Sequence, residues 1–313
     1  MIRVFIDGSS GTTGLKIAER IAQRDDITLT EVPYDLRHDV SVRKQAIARS
    51  DCVFLCLPDE AAKEIVSAIG TDGPIVIDTS TAHRTDEAWV YGMAELEGQR
   101  ERIRTAKRIA NPGCHASGFI ALIAPLVKHG LLNRDARLDC LSLTGYSGGG
   151  KKMIAQYEEE ARDSLLKAPR LYGLIQKHKH LPEMKKMCGL SYEPSFLPVV
   201  ADFYSGMETV IPLFREDVNG SMEDIMACYE SCYQTGMIRF VRNADEAGFL
   251  SANAMAGRDD METAVFGNEE RILLTARFDN LGKGASGAAI QNMNIALGLK
   301  EDTGLVTGKE TAE

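Results

Sequence analysis

No window of this 313-residue chain holds the run of about eighteen apolar residues that a membrane-spanning helix needs. Basic charge is scarce too: 36 Lys+Arg stand against 45 Asp+Glu, a net charge of −9. Attraction to phosphate would have to come from a local patch, so neither nucleic acid nor a membrane is expected as a partner. The dense cysteine spacing of a secreted scaffold is also missing. Seven cysteines form an odd set and read as reduced thiols. The N-terminus, MIRVFIDGSS, has only a short apolar run before a glycine loop and lacks a signal-peptide pattern. A cytoplasmic location is therefore expected. No repeat, low-complexity tract or Pro/Gly/Ser linker breaks the chain. What remains, 44% hydrophobic and 26% charged residues over this length, suits a soluble protein of two ordinary domains.

The hydrophobic pattern changes along the chain. Early on, strand-like runs at Ile2–Ile6, Ile27–Val32, Asp51–Leu57 and Pro74–Ser80 alternate with helical stripes after Gly14, at Val42–Ala48 and after Pro58. That alternation predicts an α/β fold, with a Rossmann-like parallel sheet covered by helices on both faces. Later, strand candidates dominate: Leu138–Tyr146, Ser195–Asp202, Glu208–Pro212, Met237–Val241 and Arg271–Phe278, with helical stretches at 152–167 and 221–234. This predicts an α+β substrate and catalytic domain on a mixed or antiparallel sheet. The expected division is a nucleotide-binding domain over 1–114, completed by a C-terminal helical segment, 285–313, and a catalytic and association domain over 115–284.

The first strand runs into Gly8-Ser9-Ser10-Gly11-Thr12-Thr13-Gly14 and then a helix. Glycines permit a tight turn and close backbone approach. The unpaired N–H groups and positive dipole end of the helix suit a pyrophosphate. A dinucleotide is therefore the expected cofactor, although the spacing departs by one residue from G-x-G-x-x-G. Beyond the second strand, Tyr34-Asp35-Leu36-Arg37 offers Asp35 to an NAD ribose or Arg37 to the 2′-phosphate of NADP. The reading favours NADP.

Asn111-Pro112-Gly113-Cys114 bends the chain into the apolar helical run FIALIAPLV. Cys114 then stands at a helix N-terminus, where orphan amides favour thiolate over thiol. The same amides can stabilise an oxyanion formed by attack on a carbonyl. The other six cysteines read as small buried apolar residues. Neither Cys52/Cys56 nor Cys228/Cys232 has a histidine at ligand spacing in the sequence, so no metal is expected. For a proton partner, His178-Lys179-His180-Leu181-Pro182-Glu183 gathers two imidazoles, a cation and a carboxylate that could orient an imidazole. Arg84, just past a strand, is a candidate anion clamp. A second glycine loop, Tyr146-Ser147-Gly148-Gly149-Gly150-Lys151, could present amides and an ammonium to a carboxylate or phosphate.

The N-terminal glycine loop, NPGC, HKHLPE and the terminal DNLGKGASGAAIQN together resemble the shorter type of the N-acetyl-γ-glutamyl-phosphate reductase family. That family belongs to the aspartate-semialdehyde dehydrogenase-like superfamily. The resemblance spans nearly the whole chain. It implies NADPH-dependent reduction of N-acetyl-L-glutamyl 5-phosphate to the 5-semialdehyde, through a cysteine thioester, in arginine biosynthesis. It implies Cys114 as nucleophile and His180 as acid/base. His178, Glu183, Arg84, Asn111, Ser147, Gly148 and Lys151 are implied on the substrate side. Residues Gly8 to Gly14, Arg37, Gly284 and Asn292 are implied on the cofactor side, and a homo-oligomer as the assembly. Lys151 stands where arginine is common, so a single contact would replace a bidentate fork. An aspartate-semialdehyde dehydrogenase and a non-catalytic NADP-binding regulator are the alternatives. A metal-dependent hydrolase lacks a His/Asp/Glu cluster at ligand spacing.

Overall fold

The computed structural model describes residues 1–70, 72–234 and 236–308. The chain divides into two compact units. The first comprises Met1–Ala94, Gly98–Pro112 and Ala285–Leu305, and the second Glu95–Glu97, Gly113–Gly284 and the residues from Val306.

The first unit begins with β1 (Ile2–Asp7), α1 (Thr12–Ile21), β2 (Ile27–Leu29), α2 (Val40–Ala48) and β3 (Cys52–Leu55). It continues with α3 (Asp59–Ile69), β4 (Ile75–Asp78), β5 (Val90–Tyr91), α4 (Gln99–Thr105) and β6 (Arg108–Ala110). The strands lie in the order β2-β1-β3-β4-β6-β5, with every pairing parallel. Such a sheet needs cover on both faces, which is why its strands are almost continuously apolar. Alternation sorts the side chains. Val4, Ile6, Cys52, Phe54, Ile75 and Ile77 join one core with Ile17 and Ile21 of α1 and Ile103 of α4. Phe5, Val53, Leu55 and Val76 join another with Ile47 of α2 and Ile65 of α3. Fully burying one such side chain contributes about 1.5–3 kcal/mol.

Asp7, at the end of β1, is buried and clamped by Arg43 of α2, with Nη2 at 2.7 Å and Nε at 2.9 Å from Oδ2. This pair fixes α2 beside the start of the glycine loop. Breaking a buried pair of this kind costs about 3–5 kcal/mol.

The second unit carries α5 (Cys114–Lys128), β7 (Asp139–Gly145), α6 (Gly150–Glu158), β8 (Arg170–Leu171), α7 (Leu181–Cys188) and β9 (Ser195–Ala201). After these come β10 (Met207–Phe214), α8 (Met222–Cys232), β11 (Ile238–Phe240), β12 (Met261–Gly267) and β13 (Arg271–Phe278). Its sheet runs β11-β12-β13-β10-β7-β9-β8. It is mixed: β7–β9 and β11–β12 are parallel, and the other pairings are antiparallel. The last helix, α9 (Gly287–Ala296), returns to the first unit, where Ala289, Ile290, Met293 and Ile295 enter the core of Val4 and Phe54.

Helix α5 is apolar nearly all round and buried from His115 to Ile123, as expected of a helix inside a unit rather than on its surface. It comes close to the sheet at Gly118, where a Cβ would lie 2.3 Å from Thr209 Oγ1 of β10. Pro125 sits inside this helix and removes the N–H that would bond the Ala121 carbonyl. The Tyr233 hydroxyl donates to that carbonyl, and the Tyr229 hydroxyl of α8 donates to Leu122 O at 2.6 Å.

Several elements differ from the sequence expectation. The helix expected over 152–167 spans Gly150–Glu158. Glu158, Glu159 and Glu160 place negative charge at the negative end of the helix dipole, and Asp163 then caps a separate 3-10 turn, Ser164–Lys167, by accepting from Leu165 N. β2 stops at Leu29, short of Val32. In the segment 285–313 the helix ends at Ala296, and residues 309–313 lie outside the described residues. Strand β12 was not expected because Glu262 interrupts its apolar pattern. Arg277 on β13 pairs with Glu262 at 2.5 Å and neutralises it. Among the described residues no helix is long and apolar enough to cross a membrane.

Candidate active site

The glycine loop of the first unit is tight. Gly8 has φ +89°, and a Cβ there would lie 2.3 Å from Cys56 O, so only glycine fits. A Cβ on Gly14, which is buried in the first turn of α1, would lie 2.4 Å from Gly8 O. Gly11 N donates to Gly8 O at 3.1 Å and closes the turn. Ser9 and Ser10 are exposed, while Thr12 and Thr13 are half-buried in the opening turn. Helix α1 has no side-chain cap, which leaves its first amides available to an anion. Arg37 follows the turn Tyr34–Leu36, lies with its guanidinium 3.7 Å from the Tyr34 ring centroid and donates to Tyr34 O.

Asn111 and Asn292 meet in this unit. Asn292 Nδ2 donates to Asn111 Oδ1 at 3.1 Å and to Gly92 O at 2.9 Å. Asn111 Nδ2 donates to Ala285 O at 3.0 Å. Asn292 Oδ1, fully buried, has no hydrogen-bond partner among the described residues. An orphan acceptor of this kind is rare in proteins and suits the amide N–H of a nicotinamide. The cradle and this acceptor both fit a dinucleotide. Arg84 is buried, with Nε on Asn111 O at 3.0 Å and Nη2 on Thr79 O at 3.1 Å. Its guanidinium thus braces two backbone carbonyls. His83 is buried as well, bonded through Nδ1 to Asp78 Oδ2 at 2.7 Å and stacked on Trp89.

In the second unit, Cys114 is the first residue of α5. Gly113 is the N-cap and supplies no side-chain cap. Glu183, 1% exposed, accepts the Gly113 N–H on Oε1 at 2.8 Å. Gly284 lies against Cys114, since a Cβ on it would be 2.9 Å from Cys114 Cβ. All seven cysteines are described and none is disulfide-bonded. Cys52, Cys140 and Cys188 are buried, and Cys56, Cys114, Cys228 and Cys232 are half-buried.

Three imidazoles cluster around His115, the residue after Cys114. The ring centroids of His178 and His180 are 4.8 Å apart, and His115 lies 5.8 Å and 5.7 Å from them. His180 is buried and is the N-cap of α7, with Pro182 in the first turn of that helix. The stretch 178–183 therefore leads into a helix start. Ahead of it Gln176 has φ +52°, a strained conformation for a side-chain-bearing residue. Its amide holds it there: Nε2 donates to Phe196 O at 2.7 Å, and Oε1 accepts Phe196 N–H at 2.9 Å. The Phe196 ring packs on His115 and His178.

His115 and Tyr172 were missed from the sequence as site residues. His115 Nδ1 pairs with Ser142 Oγ at 2.7 Å, and Nε2 pairs with Tyr172 Oη at 2.7 Å. Burial, helped by the nearby His178 and Lys179, pushes His115 down to about 3. It therefore stays neutral, with both ring nitrogens engaged. Burial also lowers His178, with Lys179 contributing. Burial, together with negative charge on Cys114, raises the Tyr172 phenol. Partners 57 residues apart leave no local signal for this contact.

The second glycine loop is a 3-10 turn, Tyr146–Gly149, leading into α6. Ser147 is buried and its Oγ accepts from Asn280 Nδ2 at 3.0 Å. Gly148 and Lys151 are exposed. The metal reading also changes. Cys228 and Cys232 have no histidine near them in the sequence, but the fold brings His129 to them.

A parallel sheet with a glycine cradle and a mixed-sheet unit whose helix opens on a cysteine among histidines define a dehydrogenase of the semialdehyde type. Two family models match: "Semialdehyde dehydrogenase, NAD binding domain" over residues 26–106 and "Semialdehyde dehydrogenase, dimerisation domain" over residues 114–280. Aspartate semialdehyde dehydrogenase II from Vibrio cholerae superposes with a TM-score of 0.70 at 17% identity, over 95% of this chain and 98% of that one. The aspartate semialdehyde dehydrogenase from Francisella tularensis gives 0.69 at 14%, over 94% and 99%. At these identities the likeness is one of fold.

Relatives closer in sequence decide the branch. The chain belongs to the N-acetyl-gamma-glutamyl-phosphate reductase family: it is 44% identical over 306 residues to the proteins of that name from Brucella ovis and Brucella canis, covering 95% of this chain and 99% of theirs.

Proposed function

We propose that this chain reduces N-acetyl-L-glutamyl 5-phosphate to N-acetyl-L-glutamate 5-semialdehyde and phosphate, with NADPH as reductant, as a step of arginine biosynthesis. The observation that carries the reading is Cys114 at the first position of α5, with the histidine arm folded beside its neighbour His115. The opening amides of α5 favour the thiolate. The thiolate attacks the acyl carbon, the carbon–oxygen bond to phosphate breaks, and a thioester on Cys114 remains. Lys151, exposed at the start of α6, meets the leaving phosphate. Arg84 holds the Asn111 backbone in place. Residues Gly8 to Gly14 would hold the pyrophosphate, Arg37 the 2′-phosphate, and Asn292 Oδ1 the carboxamide. The nicotinamide, when bound, would supply hydride for the thioester carbon. His180 takes the thiol proton at the outset and serves the oxygen that becomes the aldehyde. Cys114 leaves as thiolate when the carbon–sulfur bond breaks.

The test is turnover in the aldehyde-oxidising direction with phosphate, followed by reduced-nicotinamide absorbance. N-acetylglutamate semialdehyde should exceed aspartate semialdehyde in kcat/KM by more than the roughly 10–200-fold that one methylene allows, because the two also differ by acetylation of the α-amine. NADP should exceed NAD. Equal use of the two aldehydes would refute the substrate assignment.

The same reading includes a dimer through the seven-stranded sheet. Pro212 and Leu273 are cross-strand partners, and Leu141, Leu273 and Phe214 are 37%, 40% and 61% exposed. Through the β7–β10–β13 pairings these residues share one face of the sheet, which supports an apolar association surface there. Light scattering on the purified protein should give a multiple of the 34.3 kDa chain mass, and a monomer at micromolar concentration would count against it.

A further inference from the structure

The C-terminal end of α5 carries a second constellation that the proposed reduction does not use. His129, the C-cap of α5, is exposed. Cys228 and Cys232 lie one helical turn apart on α8, so their side chains share a face. One ligand atom from each of the three residues falls within 4.8 Å of the others, and Cys232 Sγ is 3.7 Å from His129 Nε2. The 3.7 Å between Cys232 Sγ and His129 Nε2 matches the edge of a tetrahedron around a cation with bonds of about 2.0–2.3 Å, and Cys228 lies within 4.8 Å of both ligand atoms. We propose that His129, Cys228 and Cys232 form a binding site for a thiophilic divalent cation of the zinc type.

The scaffold makes the site more than a chance approach. The Tyr229 and Tyr233 hydroxyls, from residues adjacent to the two cysteines, bond the Leu122 and Ala121 carbonyls of α5. They lock α8, which carries both thiols, on α5, whose C-cap is His129. The donor set selects the metal class. Two thiolates and an imidazole suit Zn²⁺, Cd²⁺ or Co²⁺ and disfavour Mg²⁺ or Ca²⁺, which take oxygen ligands. Each ligating thiol gives up its proton to solvent as the cation enters. The flanking charges are Lys128 and Glu97, themselves paired at 2.9 Å. They balance, and Glu97 lies on the side of His129 and Cys232. The exposed side leaves the fourth position to water. Three protein ligands from two helices make a clip at the end of α5 opposite Cys114, roughly 20 Å along its axis. The site stands whether or not the chain is a reductase.

The test uses the full chain as Cys114→Ser, so that the only reactive sulfur of the catalytic region is gone. The protein is reduced, desalted under inert gas and titrated with Co²⁺. The expected result is a thiolate-to-cobalt charge-transfer band with tetrahedral visible bands, saturating at one equivalent and displaced by Zn²⁺. Adding Cys228→Ser should halve the charge-transfer intensity and weaken Zn²⁺ more than about 100-fold, the upper range for losing a mere outer-sphere partner. His129→Asn, at an exposed position that leaves the fold untouched, should keep the thiolate band and weaken Zn²⁺. A missing thiolate–cobalt band at stoichiometric metal overturns the site. So does a band that Cys228→Ser and His129→Asn both leave unchanged.

Discussion

Cys114→Ser should abolish reduction, lowering kcat by about 10⁴-fold or more, equivalent to about 5.5 kcal/mol of barrier, while nucleotide binding persists. Ionisation sets the two side chains apart. Helix-terminal amides can hold a thiol as its anion near neutral pH, whereas a serine hydroxyl at the same point stays protonated. The change is nearly isosteric, and Gly284, whose added Cβ would come within 2.9 Å of Cys114 Cβ, meets the same Cβ either way. Loss of activity would then be chemical rather than structural. Two measurements separate these: nucleotide affinity by fluorescence should match the parent, and the acyl adduct seen by mass spectrometry after mixing parent with acyl phosphate should be missing from the variant. A variant that still turns over would dispose of covalent catalysis.

His180→Asn should cost roughly 10²–10⁴-fold in kcat, the span expected for a general acid/base. Its neighbours explain why this imidazole is chosen. His115 is held neutral, pushed down to about 3 by burial, and both its nitrogens are engaged by hydroxyls. His178 hydrogen-bonds the His180 amide through Nδ1 at 3.3 Å, a role that shapes the helix start. The expected signature is a fall in kcat with little change in KM, and loss of one limb of the pH–rate profile. A larger effect from His178→Asn would exchange the two roles.

Much of this was legible in the sequence because it is local. β1, the glycine loop and α1 occupy consecutive residues, and NPGC announces the start of α5 through its own backbone preferences. Contacts across long separations were not legible. Asn111 and Asn292 are 181 residues apart, and Cys232 and His129 are 103 apart. Asn111 and Asn292 were named for the two sides of the site without their mutual contact, while Cys232 and His129 looked ordinary beside their chain neighbours. Glu183, read as orienting an imidazole, also receives a backbone amide at the N-cap of α5, a contact that the sequence did not announce. Ser147 and Arg84, expected to meet substrate, are each engaged inside their own unit. Side-chain chemistry alone does not say whether a donor faces outward.

The histidine arm is moored by Gln176 to the main chain of Phe196, through its N–H and its carbonyl. Any amino acid except proline would offer the same two groups at that berth. The arm's position is thus insulated from drift in the side chains of β9, and a single glutamine amide decides where the imidazoles stand.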